Sequence, residues 1–200
     1  MIRIIFIRHP ETEINTRGFT HRIGEQTRFT DEGNKQLNIL LFVISQYGIQ
    51  KVYSSPEKRA KDTAELISKE LEIKMAVLDE LDERNWGDWA GWPWEAILDK
   101  LNRMNIEERF NFIPPGGESW REMETRSKKA LQVIISGEET CVLVVVHAGI
   151  LRNLMPVLKD ASREISFGYD FRNASVTIFD YEDGKYKEII INDVSHLEKV

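Results

Sequence analysis

The sequence predicts an α/β fold: an open, mostly parallel sheet with helices on both faces and a β-hairpin at the C-terminus. Short apolar runs that suit buried strands alternate along the chain with stretches in which apolar residues recur at helical spacing. Near the C-terminus, two further strand-like runs flank an Asp-Gly pair, a sequence typical of a tight hairpin turn.

The first part of the chain predicts two strands and a helix. Residues 2–8 form a near-continuous apolar run, as expected for a strand covered on both faces. Residues 30–48 carry apolar side chains at helical spacing, and Gly48 suits the C-terminal cap. The run KVYSS, residues 51–55, predicts the second strand.

A helix and a third strand are predicted next. Ser55-Pro56 has the pattern of an N-cap followed by proline at the first helical position, and apolar spacing continues to Leu71. The run KMAVLDEL, residues 74–81, is the third strand candidate. Residues 85–115, here called the tryptophan-rich segment, are predicted to be an irregular insertion covering part of the fold.

The remaining elements follow the same alternation. Residues 119–122 form a capping box, which predicts the start of a helix. The run CVLVVVH, residues 141–147, predicts a fourth strand, with a helix from about Ile150. Residues 175–191 predict the hairpin, turning at Asp183-Gly184.

Length and composition indicate a single domain, residues 1–200, of an ordinary globular protein. The net charge of −6 argues against nucleic acid or an anionic membrane as a partner. The single cysteine, Cys141, excludes an intrachain disulfide and fits a reducing cytoplasm. With no long apolar run, and a strand at the N-terminus that leaves no room for a signal peptide, we expect a cytoplasmic location.

Charged and polar residues follow the strands at the edge where open α/β sheets bind ligands. Arg8 and His9 end the first strand, and His147 ends the fourth. Arg59 falls in the first turn of a helix, where free N–H groups favour an anion, and Arg152 lies near. Arginine suits phosphate, and a histidine among arginines has a lowered pKa and stays a neutral nucleophile. The pattern predicts a phosphate site with a histidine available for attack.

Five segments in order resemble motifs of the histidine phosphatase superfamily, also called the phosphoglycerate mutase-like family. They are FIRHPET (6–12), SSPEKRAKDTA (54–64), LDERNWGDWAG (81–91), PPGGES (114–119) and VVVHAGILR (144–152). The tryptophan-rich segment and HAGILR look most like the small-molecule phosphatases of the family, such as those acting on α-ribazole phosphate. The resemblance extends over nearly the whole chain.

The resemblance implies a role for each matching residue. His9 would be the nucleophile and form a phosphohistidine, while Arg8, Arg59 and His147 stabilise the transferring phosphoryl group. Glu83 would protonate the leaving oxygen and then activate water, and a phosphate dianion beside it would raise its pKa. No metal or other cofactor is implied, since arginines and the second histidine balance the phosphate charge.

Substrate contacts are implied for three more residues. Asn15 would contact the phosphate or the leaving-group side, and His21 and Arg22 replace a Gln-Gly pair of the family. His21 as a surface loop residue is the alternative. Pro10 replaces the signature glycine, which a strand-end position should tolerate because His9 is already extended. The tryptophans of residues 86–94 are expected mainly to pack, with one ring at the pocket.

The expected function is hydrolysis of a small phosphorylated metabolite. A bisphosphoglycerate-dependent mutase is one alternative, which the short insertion and tail disfavour. A catalytically silent protein that binds a phosphorylated ligand is the other, although the catalytic side chains are all present. A small phosphorylated substrate is the expected partner, and the sequence leaves the oligomeric state open.

Overall fold

The computed structural model describes residues 1–198, so the last two residues of the predicted domain lie outside it. The strands are β1 Ile2–Arg8, β2 Lys51–Ser54, β3 Lys74–Val77, β4 Cys141–Val146, β5 Val176–Glu182 and β6 Lys185–Asp193. The helices are α1 Glu13–Arg17, α2 Asp31–Ile44, α3 Lys58–Glu70, α4 Trp94–Asn102, α5 Ile106–Asn111, α6 Trp120–Ile135 and α7 Ala148–Leu158. None of these described helices combines the length and apolar character needed to cross a membrane.

The strands form one sheet in the order β3-β2-β4-β1-β5-β6. The first four of these are mutually parallel, whereas β5 runs antiparallel to both β1 and β6. The predicted open, mostly parallel α/β sheet with a C-terminal hairpin is therefore confirmed. The hairpin turns at Asp183 and Gly184, which both have positive φ, as a two-residue turn of this kind requires.

Helices cover both faces of the sheet, because alternate residues of the central strands point to opposite sides. Phe6 of β1 and Val144 of β4 join the core beneath α6 and α7. Ile7 and Val145 join a second core beneath α2 and α3. Strands buried on both faces have apolar residues at consecutive positions, which explains the continuous runs seen in the sequence.

Two predicted helix starts were wrong by a few residues. The third helix begins at Lys58 rather than after Ser55, because the Ser55 hydroxyl accepts the Glu57 N–H within a preceding turn. The last helix begins at Ala148 with His147 at the N-cap, two residues before the predicted start. The third strand is shorter than predicted: it ends at Val77, and a 3₁₀ turn follows.

The tryptophan-rich segment contains more regular structure than predicted. Helices α4 and α5 lie within it, and α5 begins with a capping box between Asn105 and Glu108. Ile97 and Leu101, one turn apart on α4, are buried with Trp86 in a small separate cluster. The high tryptophan and proline content obscured this helical spacing.

Candidate active site

A cavity of about 170 Å³ lies at the carboxyl ends of the central parallel strands. The sheet register pairs Arg8 of β1 with Val146 of β4, and Ser54 of β2 with Val145, so these strands end at one level. Six of the eight predicted site residues line the cavity: Arg8, His9, Asn15, His21, Arg59 and Glu83. His147 and Arg22 do not line it.

The imidazole of His9 is 2% exposed and has a defined tautomer. Its Nδ1 lies 2.8 Å from the Pro10 carbonyl oxygen, which can only accept, so Nδ1 carries the proton. Nε2 therefore keeps its lone pair, and Arg59 Nε donates to it at 3.1 Å. Burial and the charges of Arg59 and Arg8 hold the pKa of His9 well below 6.5, so the ring is neutral at pH 7.

Arg59 is held by a carboxylate that the sequence reading missed. Glu57 and Arg59 form an ion pair at 3.1 Å, and their side chains are 1% and 3% exposed. The other Glu57 oxygen accepts the Gly24 N–H at 3.0 Å, which ties the loop after α1 to the same carboxylate. An acidic residue two positions before the motif arginine was the available sequence signal.

His147 lies beside His9, with ring centroids 5.2 Å apart. Its Nε2 contacts the Ser55 hydroxyl at 2.8 Å, while its Nδ1 is buried without a hydrogen-bond partner among residues 1–198. Burial and the charge of Arg59 keep the pKa of His147 well below 6.5. His147 is thus a second neutral imidazole with one unpaired nitrogen.

Glu83 is fixed by two backbone donors. Its Oε1 accepts the Arg84 N–H and its Oε2 accepts the Gly149 N–H, both at 2.9 Å. Burial acts to raise the pKa of Glu83, but the charge of His21 and the two N–H donors outweigh it and lower the pKa. A Cβ on Gly149 would lie 2.0 Å from Glu83 Oε1, so this contact requires glycine.

The two loop residues differ in position. His21 lines the cavity rather than the outer surface. Burial and the charge of Arg59 lower its pKa to about 4. Arg22 is exposed, and its guanidinium lies against Gly91, beside a neighbouring surface depression.

The lowered pKa of His21 predicts a loss of stability in acid. As the pH falls from 6.5 towards 4, the unfolded chain binds a proton that the folded protein does not. We expect this single histidine to remove about 2 kcal/mol of the unfolding free energy between pH 7.5 and pH 5. Urea unfolding of the native protein and His21→Asn at both pH values measures it. The variant should lose less stability, and equal losses would contradict the prediction.

Asn15 lines the cavity and is fixed in place through its side-chain oxygen. This oxygen accepts the Thr12 N–H at 3.0 Å, as part of the capping box of α1. It also accepts from Asn173, whose side-chain amide donates to the His9 carbonyl at 3.0 Å. With its oxygen held in this way, Asn15 has its amide N–H groups left for a ligand.

An aromatic wall completes the cavity, and most of it could not be predicted. Trp86, Trp94 and Trp120 line the cavity, and the Arg84 guanidinium lies 4.4 Å above the Trp86 ring. Burial lowers the pKa of Arg84 to about 10, so it stays charged at pH 7. Trp89 and Trp92 stack on each other at 5.6 Å and do not line the cavity. The tryptophan-rich segment therefore both packs and lines the cavity.

Comparisons with known proteins agree with the motif resemblance. A metal-independent phosphoserine phosphatase of Arabidopsis thaliana is 33% identical, over 98% of this chain and 84% of its own length. Phosphoserine phosphatase 1 of Hydrogenobacter thermophilus is 29% identical, over 98% of this chain and 95% of its own length. A bifunctional protein of Mycobacterium tuberculosis is 29% identical over 98% of this chain, which spans only 55% of that relative.

Solved structures support the fold. YhfR of Bacillus stearothermophilus superimposes with a TM-score of 0.85 at 24% identity, covering 98% of this chain and all of its own. The α-ribazole phosphatase of Shigella flexneri superimposes with a TM-score of 0.83 at 21% identity, covering 96% of both chains. The family model of the histidine phosphatase superfamily (branch 1) matches residues 4–194. The family predicted from five motifs is confirmed: this chain belongs to the histidine phosphatase superfamily.

Proposed function

We propose that the protein hydrolyses small phosphomonoesters through a phosphohistidine formed on His9. The observation that carries the proposal is the state of this imidazole. It is neutral, its Nδ1–H is held by the Pro10 carbonyl, and its Nε2 lone pair lies at the cavity beside Arg59. Histidine in this state is a nucleophile, whereas a protonated ring is not.

In the first step, His9 Nε2 attacks phosphorus and the bond between phosphorus and the leaving oxygen breaks. The Pro10 carbonyl stabilises the positive charge that develops on the imidazole, because it accepts the Nδ1–H. Arg59 Nε, which donates to Nε2 in the free protein, is released to the phosphate oxygens. Arg8 lies on the same cavity wall and supplies a second guanidinium.

His147 is proposed to stabilise the phosphoryl group once it is on His9. Ser55 Oγ accepts the Glu57 N–H, so its own hydroxyl proton is available to His147 Nε2. We assign the ring proton to Nδ1 on this basis, and Nδ1 has no partner in the described residues. A donor N–H beside His9 favours the charged phosphoryl group.

Glu83 is proposed as the general acid and then the general base. The free protein holds the pKa of Glu83 low, but a phosphate dianion bound next to it disfavours the carboxylate and raises that pKa. The protonated carboxyl gives its proton to the leaving oxygen. The carboxylate then takes a proton from water, which attacks phosphorus and releases His9 and inorganic phosphate.

Substrate binding by Asn15 and His21 is part of the proposal, because both line the cavity. Arg22 lies at the neighbouring depression, so a contact with substrate requires a ligand long enough to extend towards Gly91. Two of the relatives are named phosphoserine phosphatases, which favours hydrolysis over the mutase alternative for this chain.

Phosphate release from p-nitrophenyl phosphate in EDTA tests the proposed function. We expect turnover that is unchanged by EDTA and by added bisphosphoglycerate. EDTA should have no effect because guanidinium and imidazole groups stabilise the charge of the transferring phosphoryl group. Loss of activity in EDTA would contradict the proposal. Activity that appears only with bisphosphoglycerate would favour the mutase, and no release under any condition would favour a phospho-ligand binder.

A further inference from the structure

Glu83, the proposed general acid, lies on a segment without regular secondary structure. Residues 82–86 are neither helix nor strand and connect two 3₁₀ turns. Carbonyl oxygens in such a segment have no partners from a helix or a sheet, so other groups must donate to them to fix the backbone. The Glu83 carboxylate accepts the N–H groups of Arg84 and Gly149, and its place therefore depends on how this backbone is held.

One guanidinium, that of Arg126 on α6, supplies the missing donors. Its Nη1 donates to the carbonyl oxygens of Glu80 and Asp82, at 2.9 and 2.6 Å. Its Nη2 donates to the carbonyl oxygen of Glu83 at 3.2 Å. Arg126 does not line the cavity, so it acts on the backbone that carries Glu83 and not on the phosphate.

Glu118 fixes the Arg126 guanidinium in a forked ion pair. Glu118 Oε2 accepts from Arg126 Nε at 3.0 Å, and Oε1 accepts from Nη2 at 2.5 Å. Together with the three carbonyl oxygens, this pair uses all five N–H donors of the arginine. The carboxylate also balances the charge of Arg126, so the arrangement adds no net charge beside the site.

This contact gives a role to the motif PPGGES, which the proposed chemistry does not use. The motif lies backbone to backbone against the residues that follow Glu83. The Glu118 N–H donates to the Asn85 carbonyl oxygen at 3.0 Å, and the Glu118 carboxylate accepts the Asn85 N–H at 2.9 Å. A Cβ on Gly117 would lie 2.6 Å from the same carbonyl oxygen, so this close approach requires glycine.

We propose that Arg126, held by Glu118, is the positioning residue for the general acid Glu83. Proton transfer requires the carboxyl group within hydrogen-bond reach of the leaving oxygen, and a misplacement of about 1 Å can lower the rate by about 100-fold. Carbonyl oxygens do not titrate, so Arg126 holds the backbone of Glu83 in place whether its carboxyl is protonated or ionised. This inference rests on the proposed function and deepens it, and it holds for any phosphomonoester substrate.

Two aryl phosphates of nearly the same shape test the inference. Phenolate is a more basic leaving group than p-nitrophenolate, so phenyl phosphate depends more on the general acid. In Arg126→Met, kcat for phenyl phosphate should fall by about fivefold or more beyond any fall for p-nitrophenyl phosphate. Arg126→Lys, with three donors instead of five, should show a smaller selective loss. Equal slowing of both substrates by a folded Arg126→Met would overturn the inference.

Arg121→Met is the matched control for Arg126→Met. Arg121 lies on the same helix, but it binds Glu107 and Asn111 of α5 and has no contact with the segment that carries Glu83. This variant should keep the native ratio of the two rates. Should Arg126→Met fail to fold, Glu118→Gln, which removes the charge of the ion pair and keeps its shape, should lower the same ratio. A native ratio in folded Glu118→Gln and Arg126→Lys would also overturn the inference.

Glu83→Gln distinguishes failure of this inference from failure of the proposed function. Glu83→Gln alone should lower the ratio, and adding Arg126→Met to it should lower the ratio no further, because both act through one carboxyl group. A further fall would show that Arg126 acts on something else and would overturn the inference. If only Glu83→Gln lowers the ratio, the positioning role is wrong and the proposed acid stands. If neither does, both are wrong.

Discussion

His9→Ala is expected to abolish turnover, lowering kcat for p-nitrophenyl phosphate by roughly 10⁴-fold or more. The substitution removes Nε2, the proposed nucleophile, whose lone pair accepts only the Arg59 Nε hydrogen bond in the free protein. The fold should persist, because the backbone N–H of His9 still donates to the Val146 carbonyl and holds β1 to β4. Steady-state kinetics and circular dichroism on the same preparation measure both effects.

A second histidine supplies the control for His9→Ala. His196 lies near the C-terminus, outside the cavity, and is partly buried. His196→Ala therefore removes an imidazole without touching the proposed chemistry and should keep native turnover. Activity of His9→Ala within tenfold of the native protein would contradict a nucleophilic role for His9.

Glu83→Gln is expected to slow substrates according to their leaving groups. An alkyl phosphate such as glycerol 3-phosphate needs a proton on its departing oxygen, so its kcat should fall by about 10²- to 10³-fold. p-Nitrophenolate departs almost unaided, so its phosphate ester should slow less than about tenfold. Glutamine keeps one oxygen, which can still accept the Gly149 N–H, but its amide NH2 cannot accept the Arg84 N–H. One of the two backbone contacts that hold the side chain therefore remains. Parallel assays with the two substrates measure the difference.

The neighbouring acid gives a control for Glu83→Gln. Glu80 lies three residues before Glu83 in the same acidic stretch, but it does not line the cavity. Glu80→Gln should leave both substrates at native rates. Equal slowing of both substrates by Glu83→Gln would show that Glu83 acts on something other than the leaving group.

The sheet could be predicted because its pattern is local. A strand buried on both faces needs consecutive apolar residues, and the sequences of β1 and β4 show that pattern. The carboxyl ends of parallel strands meet at one edge, so Arg8, His9 and His147 could be expected to come together. The start of α3 could not be predicted as well, because a serine hydroxyl can accept a backbone N–H either as a helix N-cap or within a turn, as Ser55 does.

The rest of the site depends on contacts between distant segments. Glu57, which pairs with Arg59, also accepts the Gly24 N–H of another loop, and no spacing rule connects Glu57 with Gly24. His21 and Arg22 are neighbours in a loop, and only tertiary packing turns His21 to the cavity and Arg22 towards Gly91. Irregular segments lack the repeating spacing of helices and strands, so the sequence does not show which way their side chains point.

Trapping the covalent intermediate tests the central claim most directly. The native protein is mixed with a phosphomonoester, quenched in base, digested and examined by mass spectrometry. We predict an acid-labile, base-stable phosphoryl group on His9 that is absent from His9→Ala. Turnover with no label at His9, or with the label on His147 instead, would contradict the proposed mechanism.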